Sequence, residues 1–139
     1  MNGAGRFDGV ADYGAVFMTF HPAGPGASAE FHREELLDAA GVQLRHRNHN
    51  DVQLVLAEFQ RSPQKPVLNL EPRDEESMNG QVDPIVRSHG WLTFLHGGSA
   101  FIYGHWTVWR ARWPELKEVW DSGSVVNLRQ MTERLEQRE

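Results

Sequence analysis

The residues best suited to chemistry follow short apolar segments of the chain, at the points where those segments end. His21 and Glu71 directly follow two such segments, and His105 comes soon after a third. Another segment runs into a polar cluster of His46, Asn48 and His49. A carboxylate near apolar walls can act as a nucleophile or a general base, and imidazoles can bind hydroxyl groups or move protons. Brought onto one rim, these side chains would form a single reactive site.

The elements that must position these side chains alternate between strand and helix patterns. Short apolar runs bounded by Pro and Gly predict strands at residues 15–20, 41–48, 65–70 and 100–103. Amphipathic segments predict helices at residues 30–39, 51–60, 82–96, 115–120 and 124–137. Ser28 and Asn50 are the expected N-caps of the first two helices.

This order of elements indicates an α/β fold. Alternation with short connections is typical of parallel strands joined by right-handed helical crossovers. Four such β/α units make half of a TIM-type barrel, and a small doubly wound sheet fits the same order. Ligands of parallel α/β folds bind at the carboxyl ends of the strands, which is where the polar residues fall.

The third predicted strand determines where Glu71 points. Side chains alternate along a strand, so Glu71 shares a face with Val67 and Asn69, and the intervening leucines take the other face. If those leucines pack against the helices, Glu71 points into the mouth of the barrel. The alternative is that Glu71 caps the strand or pairs with an arginine such as Arg73.

The chain has seven histidines and five tryptophans, and each type has more than one interpretation. The histidines at strand ends fit hydrogen bonding to sugar hydroxyls better than metal binding, because no HExxH or comparable ligand motif is present. His32, His89 and His96 fall on predicted helices and are expected to be structural, although His32 follows a loop that could reach the rim. Trp106 and Trp109 are candidate platforms for a sugar ring, although Trp109 is equally suited to packing beneath the rim.

Composition sets the class of protein and excludes several others. The 139 residues, 40% hydrophobic and 24% charged, suffice for one domain over residues 1–139, with residues 1–14 expected to be loose. They do not suffice for a whole barrel of roughly 250 residues. A net charge of −5 without a basic stripe argues against nucleic acid, and no apolar stretch is long enough for a membrane span. No signal peptide is recognisable, and the compartment stays open.

Three segments of the chain resemble the C-terminal half of the apiosidase-like glycoside hydrolases. They are FHPAGPGASAEFH at residues 20–32, KPVLNLEPRDEE at residues 65–76 and YGHWTVW at residues 103–109. The resemblance covers roughly residues 17–137 and implies barrel strands five to eight of a retaining O-glycosidase. Asp74 stands where the family usually has a tyrosine, which marks a difference in substrate contacts.

The resemblance assigns a role to individual residues of this chain. Glu71 matches the catalytic glutamate of the seventh strand. The expected substrate-binding residues are His21, His32, His49, Tyr103, His105, Trp106 and Trp109. No cofactor and no metal are implied, and the substrate would be a carbohydrate such as a plant or microbial polysaccharide side chain.

The second catalytic carboxylate of such enzymes belongs to the fourth strand, which this sequence does not contain. Retaining hydrolysis needs two carboxyl groups about 5–5.5 Å apart. We therefore expect a fragment that is weak or inactive alone, and a non-catalytic carbohydrate-binding or interaction module is the alternative. A half-barrel leaves sheet edges and one sheet face uncovered, which predicts a homodimer or docking with an N-terminal half-barrel.

Overall fold

A computed structural model describes residues 16–31, 33, 35, 37–44, 52–72, 74, 83–110, 119 and 123–137. Strands β1 to β4 span Gly26–Ala27, Ala40–Gln43, Val67–Glu71 and Ala100–Phe101. A 3-10 helix spans Ala29–Phe31, and helices α1 to α4 span Gln53–Phe59, Asp83–Leu95, Trp106–Trp109 and Gly123–Glu136. Of the described helices, none combines the length and the apolar character needed to cross a membrane.

The four strands form one sheet in the order β1-β2-β3-β4. The pairs β2–β3 and β3–β4 are parallel, as predicted, and each is joined through a helix on the sheet. Strand β1, which runs antiparallel to β2, was not among the four predicted strands. The segment around Thr19, predicted as the first strand, touches the sheet through one parallel bridge to Ala39.

The antiparallel strand β1 forms because Ser28 is bonded to β2. Its hydroxyl oxygen accepts a hydrogen bond from the Gly41 amide at 2.9 Å, and its own amide donates to the Gly41 carbonyl at 2.9 Å. Ser28 is fully buried, so these bonds satisfy polar groups that have no access to water. The predicted helix at residues 30–39 is correspondingly reduced to the 3-10 turn Ala29–Phe31 among the described residues, and the Asn50 cap lies outside them.

The core lies between α1 and one face of the central strands. Val42 of β2 and Val67 of β3 are fully buried and pack with Val52 and Val55 at the start of α1. Ala40 and Val42 of β2 and Val67 of β3 supply the apolar part of this face, and burial of each valine stabilises the fold by about 1.5–3 kcal/mol. This core fixes the position of β3, which carries the glutamate.

The condition stated for an inward-pointing Glu71, that the leucines of β3 pack against the helices, is not met. Asn69, with Val67, faces the helices: it is fully buried, and its amide nitrogen donates to the Thr93 hydroxyl of α2 at 2.9 Å. Leu70 lies instead against Gly41 on the other face of the sheet. Between the pairs Val42–Asn69 and Gln43–Glu71 the register advances by two residues on β3 and by one on β2. This bulge interrupts the strict alternation, so Glu71 cannot be assigned to the Val67 face by counting.

Helix α2 packs on α4, and the turn after it is fixed by a glycine. Gly90 lies against the side chains of Leu128 and Met131, which allows the two helices to approach closely. Gly97 has φ of 90°, a conformation that favours glycine, and the Phe59 ring occupies the space that a side chain there would need. The predicted end of this helix is therefore confirmed.

We expect Val55→Ala to lower the free energy of unfolding by about 2 kcal/mol, because it removes two methyl groups from the closed core between α1 and the sheet. The matched control is Val126→Ala on the exposed side of α4, which should change it by less than about 0.5 kcal/mol. Urea unfolding followed by circular dichroism measures both. Equal effects at the two sites would contradict the core described here.

Candidate active site

Glu71 ends β3 and is held there by the sheet. Its carbonyl accepts a hydrogen bond from the Leu44 amide at 3.0 Å, just beyond the end of β2. The side chain is 37% exposed, so it lies at the rim rather than in the core. Since β2, β3 and β4 are parallel, their carboxyl ends share this rim. A carboxylate at this position is accessible to a ligand that binds across the strand ends.

His21 reaches Glu71 from the first segment of the chain. Its Nε2 lies 3.1 Å from Glu71 Oε2, and its side chain is 47% exposed. The other ring nitrogen, Nδ1, lies 3.0 Å from the carbonyl oxygen of Pro22. Pro22 is buried, so this carbonyl is a fixed anchor for the imidazole. His21 is thus a partner of Glu71, and Arg73 lies outside the described residues.

The loops that follow β3 and β4 meet beside Glu71. A carboxylate oxygen of Asp74 occupies the space that a side chain at position 104 would need, so only glycine fits there with this loop arrangement. Gly104 in turn directly precedes His105. The loop that follows Glu71 and the loop that precedes His105 are therefore in van der Waals contact.

His105 is almost fully buried and begins helix α3. Its Nδ1 accepts a hydrogen bond from the Thr107 amide at 3.1 Å, which caps the helix. The position has extended backbone angles, as N-cap residues usually have. With 6% of its surface exposed, His105 lies below the surface of the rim and offers little area for direct contact with a ligand.

Trp106 and Trp109 form a stacked pair on α3. Their ring centroids are 5.2 Å apart and their planes differ by 7°. The guanidinium of Arg110 lies 4.3 Å from the Trp106 ring centroid, within the range of a cation–π interaction. Trp109 is 73% exposed, so most of its indole surface is open to solvent. Packing beneath the rim, one of the two interpretations of Trp109, does not describe this arrangement.

Tyr103 lies between the rim and α4. Its ring centroid is 6.4 Å from that of His105, and its side chain lines a cleft of about 370 Å³ together with Val125, Leu128, Arg129, Thr132 and Glu133. The cleft is mainly apolar and is formed with α4. Tyr103 is therefore joined to the site through His105, while part of its surface faces this second space.

The remaining histidines divide into structural and undescribed ones. His89 is buried within α2, and His96 Nδ1 lies 2.8 Å from the Leu92 carbonyl at the end of that helix. His32 and His49 lie outside the described residues, as do His46 and Asn48. In the ranges that the structure describes, no group of three His, Asp or Glu side chains could hold a metal ion.

Sequence reasoning missed three contacts that define the site. They are the anchoring of His21 on the Pro22 carbonyl, the contact between Asp74 and Gly104, and the position of Arg110 over Trp106. The Trp106-to-Arg110 spacing was visible as a signal, because residues four apart on a helix are neighbours. The contact of His21 with the Pro22 carbonyl lies in a segment outside any helix and has no such signal. The Asp74–Gly104 contact joins separate loops and has no local signal.

Comparisons with known proteins give a family and a similar fold. A family model described as "Apiosidase-like, catalytic domain" matches residues 4–132. A crystal structure of a glycoside hydrolase family 5 protein from Bacteroides vulgatus is similar at 27% identity and a TM-score of 0.56, over 64% of this chain and 24% of that one. Another structure, described as a glycoside hydrolase, has 23% identity and a TM-score of 0.59, over 70% of this chain and 28% of that one.

The family model covers almost the whole of this chain, whereas this chain covers only a small part of each solved structure. The chain spans about a quarter of the length of those two proteins, with 24% and 28% covered. No curated protein matches the chain significantly. The fold is a mixed α/β fold with a four-stranded sheet, similar to that of glycoside hydrolases. Since the family model covers residues 4–132 of 139, the chain belongs to the apiosidase-like catalytic domain family.

Proposed function

We propose that this chain is the C-terminal half of a retaining glycoside hydrolase barrel and that Glu71 is its nucleophile. The substrates are side chains of plant or microbial polysaccharides. The observation that carries the proposal is the half-exposed Glu71 carboxylate at the carboxyl end of a parallel strand, 3.1 Å from His21. Family membership and the similarity to a glycoside hydrolase family 5 structure support the same chemistry.

The parallel strands support this role because they bring the reactive groups to one rim. Glu71 ends β3, and the loop after β4 contacts the loop that follows β3 through Gly104 and Asp74. The exposed indole of Trp109 offers an apolar ring face, which suits the C–H patches of a sugar. The proposed substrate-binding set is His32, His49, Tyr103, Trp106 and Trp109, while His21 contacts Glu71 and the buried His105 caps α3.

In the proposed reaction Glu71 attacks the anomeric carbon while the glycosidic C–O bond breaks. The departing oxygen takes a proton from a second carboxyl group, and the sugar becomes esterified to Glu71. Water then attacks the anomeric carbon, the second carboxylate takes its proton, and Glu71 leaves as a carboxylate. The second carboxyl group belongs to the N-terminal half-barrel, so the chain alone hydrolyses ordinary glycosides weakly or not at all.

A sugar with a leaving group that needs no protonation tests Glu71 without the second carboxyl group. We expect the chain to cleave dinitrophenyl glycosides from a panel of pentoses and hexoses slowly. We expect Glu71→Gln to reduce this rate by about 100-fold or more, since the amide is a poor nucleophile. Release of dinitrophenolate measures the rate, and intact mass spectrometry with 2-fluoro sugars detects the ester on Glu71.

The matched control is Glu30→Gln, the same change at an exposed glutamate of the 3-10 helix. Its rate should equal that of the unaltered chain. Cleavage that survives Glu71→Gln, or a glycosyl ester found on another residue, would show that Glu71 is not the nucleophile.

A second candidate function, carbohydrate binding without turnover, is favoured by the stacked tryptophans. Trp109 is 73% exposed beside Trp106, an open aromatic surface that could hold a sugar without any reaction. Under this alternative, Glu71→Gln leaves binding unchanged and no member of the panel is cleaved. Trp109→Ala would weaken binding in isothermal titration under both functions, so cleavage alone separates them.

We also propose that the two sides of the sheet dock against the missing N-terminal half. Exposed apolar side chains lie near both edge strands of the sheet, β1 and β4. Phe17, Phe20 and Phe31 lie in the segments around β1, and Ile102, Val108 and Trp109 follow β4. A barrel closes by covering both edges of such a half, and uncovered edges promote association. Without that half, a second copy of the chain is the expected substitute.

We expect the chain alone to form homodimers or larger species in light scattering at micromolar concentration. The double change Phe17→Asp and Ile102→Asp should lower the measured mass, because it places charges at both edges. Val126→Asp, at an exposed apolar site on α4, is the control and should leave the mass unchanged. A monodisperse monomer of the unaltered chain would contradict the docking proposal.

A further inference from the structure

We propose that His21 is the positioning residue of Glu71, held in one tautomer by the Pro22 carbonyl and bound through Nε2 to Glu71 Oε2. The inference rests on the proposed function for its catalytic meaning, but the arrangement itself is a matter of hydrogen bonds. It gives His21 a role toward the glutamate rather than toward the sugar.

The Pro22 carbonyl determines which ring nitrogen of His21 carries a proton. A carbonyl oxygen only accepts hydrogen bonds, and it lies 3.0 Å from Nδ1. Nδ1 must therefore be the donor. The other neutral tautomer would direct the lone pair of Nδ1 at the oxygen lone pairs of Pro22, which is repulsive at this distance.

The contact with Glu71 then requires a second proton. With Nδ1 protonated, the 3.1 Å contact of Nε2 with Oε2 is a hydrogen bond in two cases. Either an imidazolium donates to a carboxylate, or a protonated carboxyl group donates to a neutral imidazole. In both cases the pair holds two protons and has no net charge. The form competent for attack is the first, in which both protons are on His21.

This pairing orients Glu71 for the reaction without a proton transfer. His21 binds Oε2, and in the proposed geometry Oε1 forms the bond to the anomeric carbon. In the resulting ester Oε2 becomes the carbonyl oxygen and still accepts from Nε2, and both protons stay on the imidazolium. The exposures of 47% for His21 and 37% for Glu71 leave the pair accessible from the rim.

The two donor atoms of His21 can be separated by substitution. In His21→Gln the amide nitrogen replaces the Nε2 donor to Glu71. In His21→Asn the amide nitrogen replaces the Nδ1 donor to the Pro22 carbonyl and cannot reach Glu71. With dinitrophenyl glycosides we expect His21→Asn and His21→Ala to lower kcat by about 10²-fold, since misplacement of a reacting group by ~1 Å has effects of this size.

The expected pattern separates positioning from sugar binding and from folding. KM should stay within about twofold in all three variants, and His21→Gln should retain kcat within about 10-fold of the unaltered chain. A rise in KM with unchanged kcat would overturn the proposal, because it would place His21 on the sugar. Equal losses of kcat in the Gln and Asn variants would overturn it as well.

A spectroscopic measurement tests the protonation of His21 and its pairing with Glu71 even if the chain has no hydrolytic activity. In ¹⁵N-labelled chain, long-range ¹H–¹⁵N spectra report whether each ring nitrogen of His21 carries a proton. We expect a protonated Nδ1, and we expect Glu71→Gln to shift the Nε2 signal while Glu30→Gln leaves it unchanged. An unprotonated Nδ1, or an Nε2 signal that ignores Glu71→Gln, would refute the pairing. Absence of cleavage alongside the expected spectra would instead refute the proposed function alone.

Discussion

The parallel pairing of β2 with β3 over α1 is the constraint on which the site depends. Val42 and Val67 are buried against Val55 of α1, so the strands cannot slide without exposing that core. The same ladder continues to the hydrogen bond between the Leu44 amide and the Glu71 carbonyl. The position of the glutamate is therefore a consequence of apolar packing several residues upstream of it.

The central part of this fold could be predicted from local sequence, and its periphery could not. Helices α1, α2 and α4 and strands β2 to β4 coincide with predicted segments because periodicity and glycine or proline boundaries mark them. Strand β1 escapes prediction because it depends on the bonds of Ser28 to Gly41, thirteen positions away along the chain. The bulge before Glu71 also escapes, since it is a property of two paired strands rather than of one.

The residues of the site could be predicted from the sequence, but the contacts between them could not. His21 and Glu71 were both recognisable as polar residues at the ends of apolar segments. Their pairing depends on the turn that returns the chain through Pro22 toward β2, which has no periodic pattern. His105 was likewise recognisable, but its burial and its role as a helix cap follow from the start of α3 one residue later.

The contact of Asp74 with Gly104 has a consequence for how this rim can diversify. Because the Asp74 carboxylate fills the space beside Gly104, the side chains at positions 74 and 104 cannot both be large. A bulkier residue at position 104 requires a smaller one, or a new backbone path, at position 74, and a bulkier residue at position 74 requires a new backbone path because no residue is smaller than Gly104. Changes to this part of the rim therefore require coupled substitutions in the two loops. Libraries that randomise only one loop will contain mostly variants in which the loops clash.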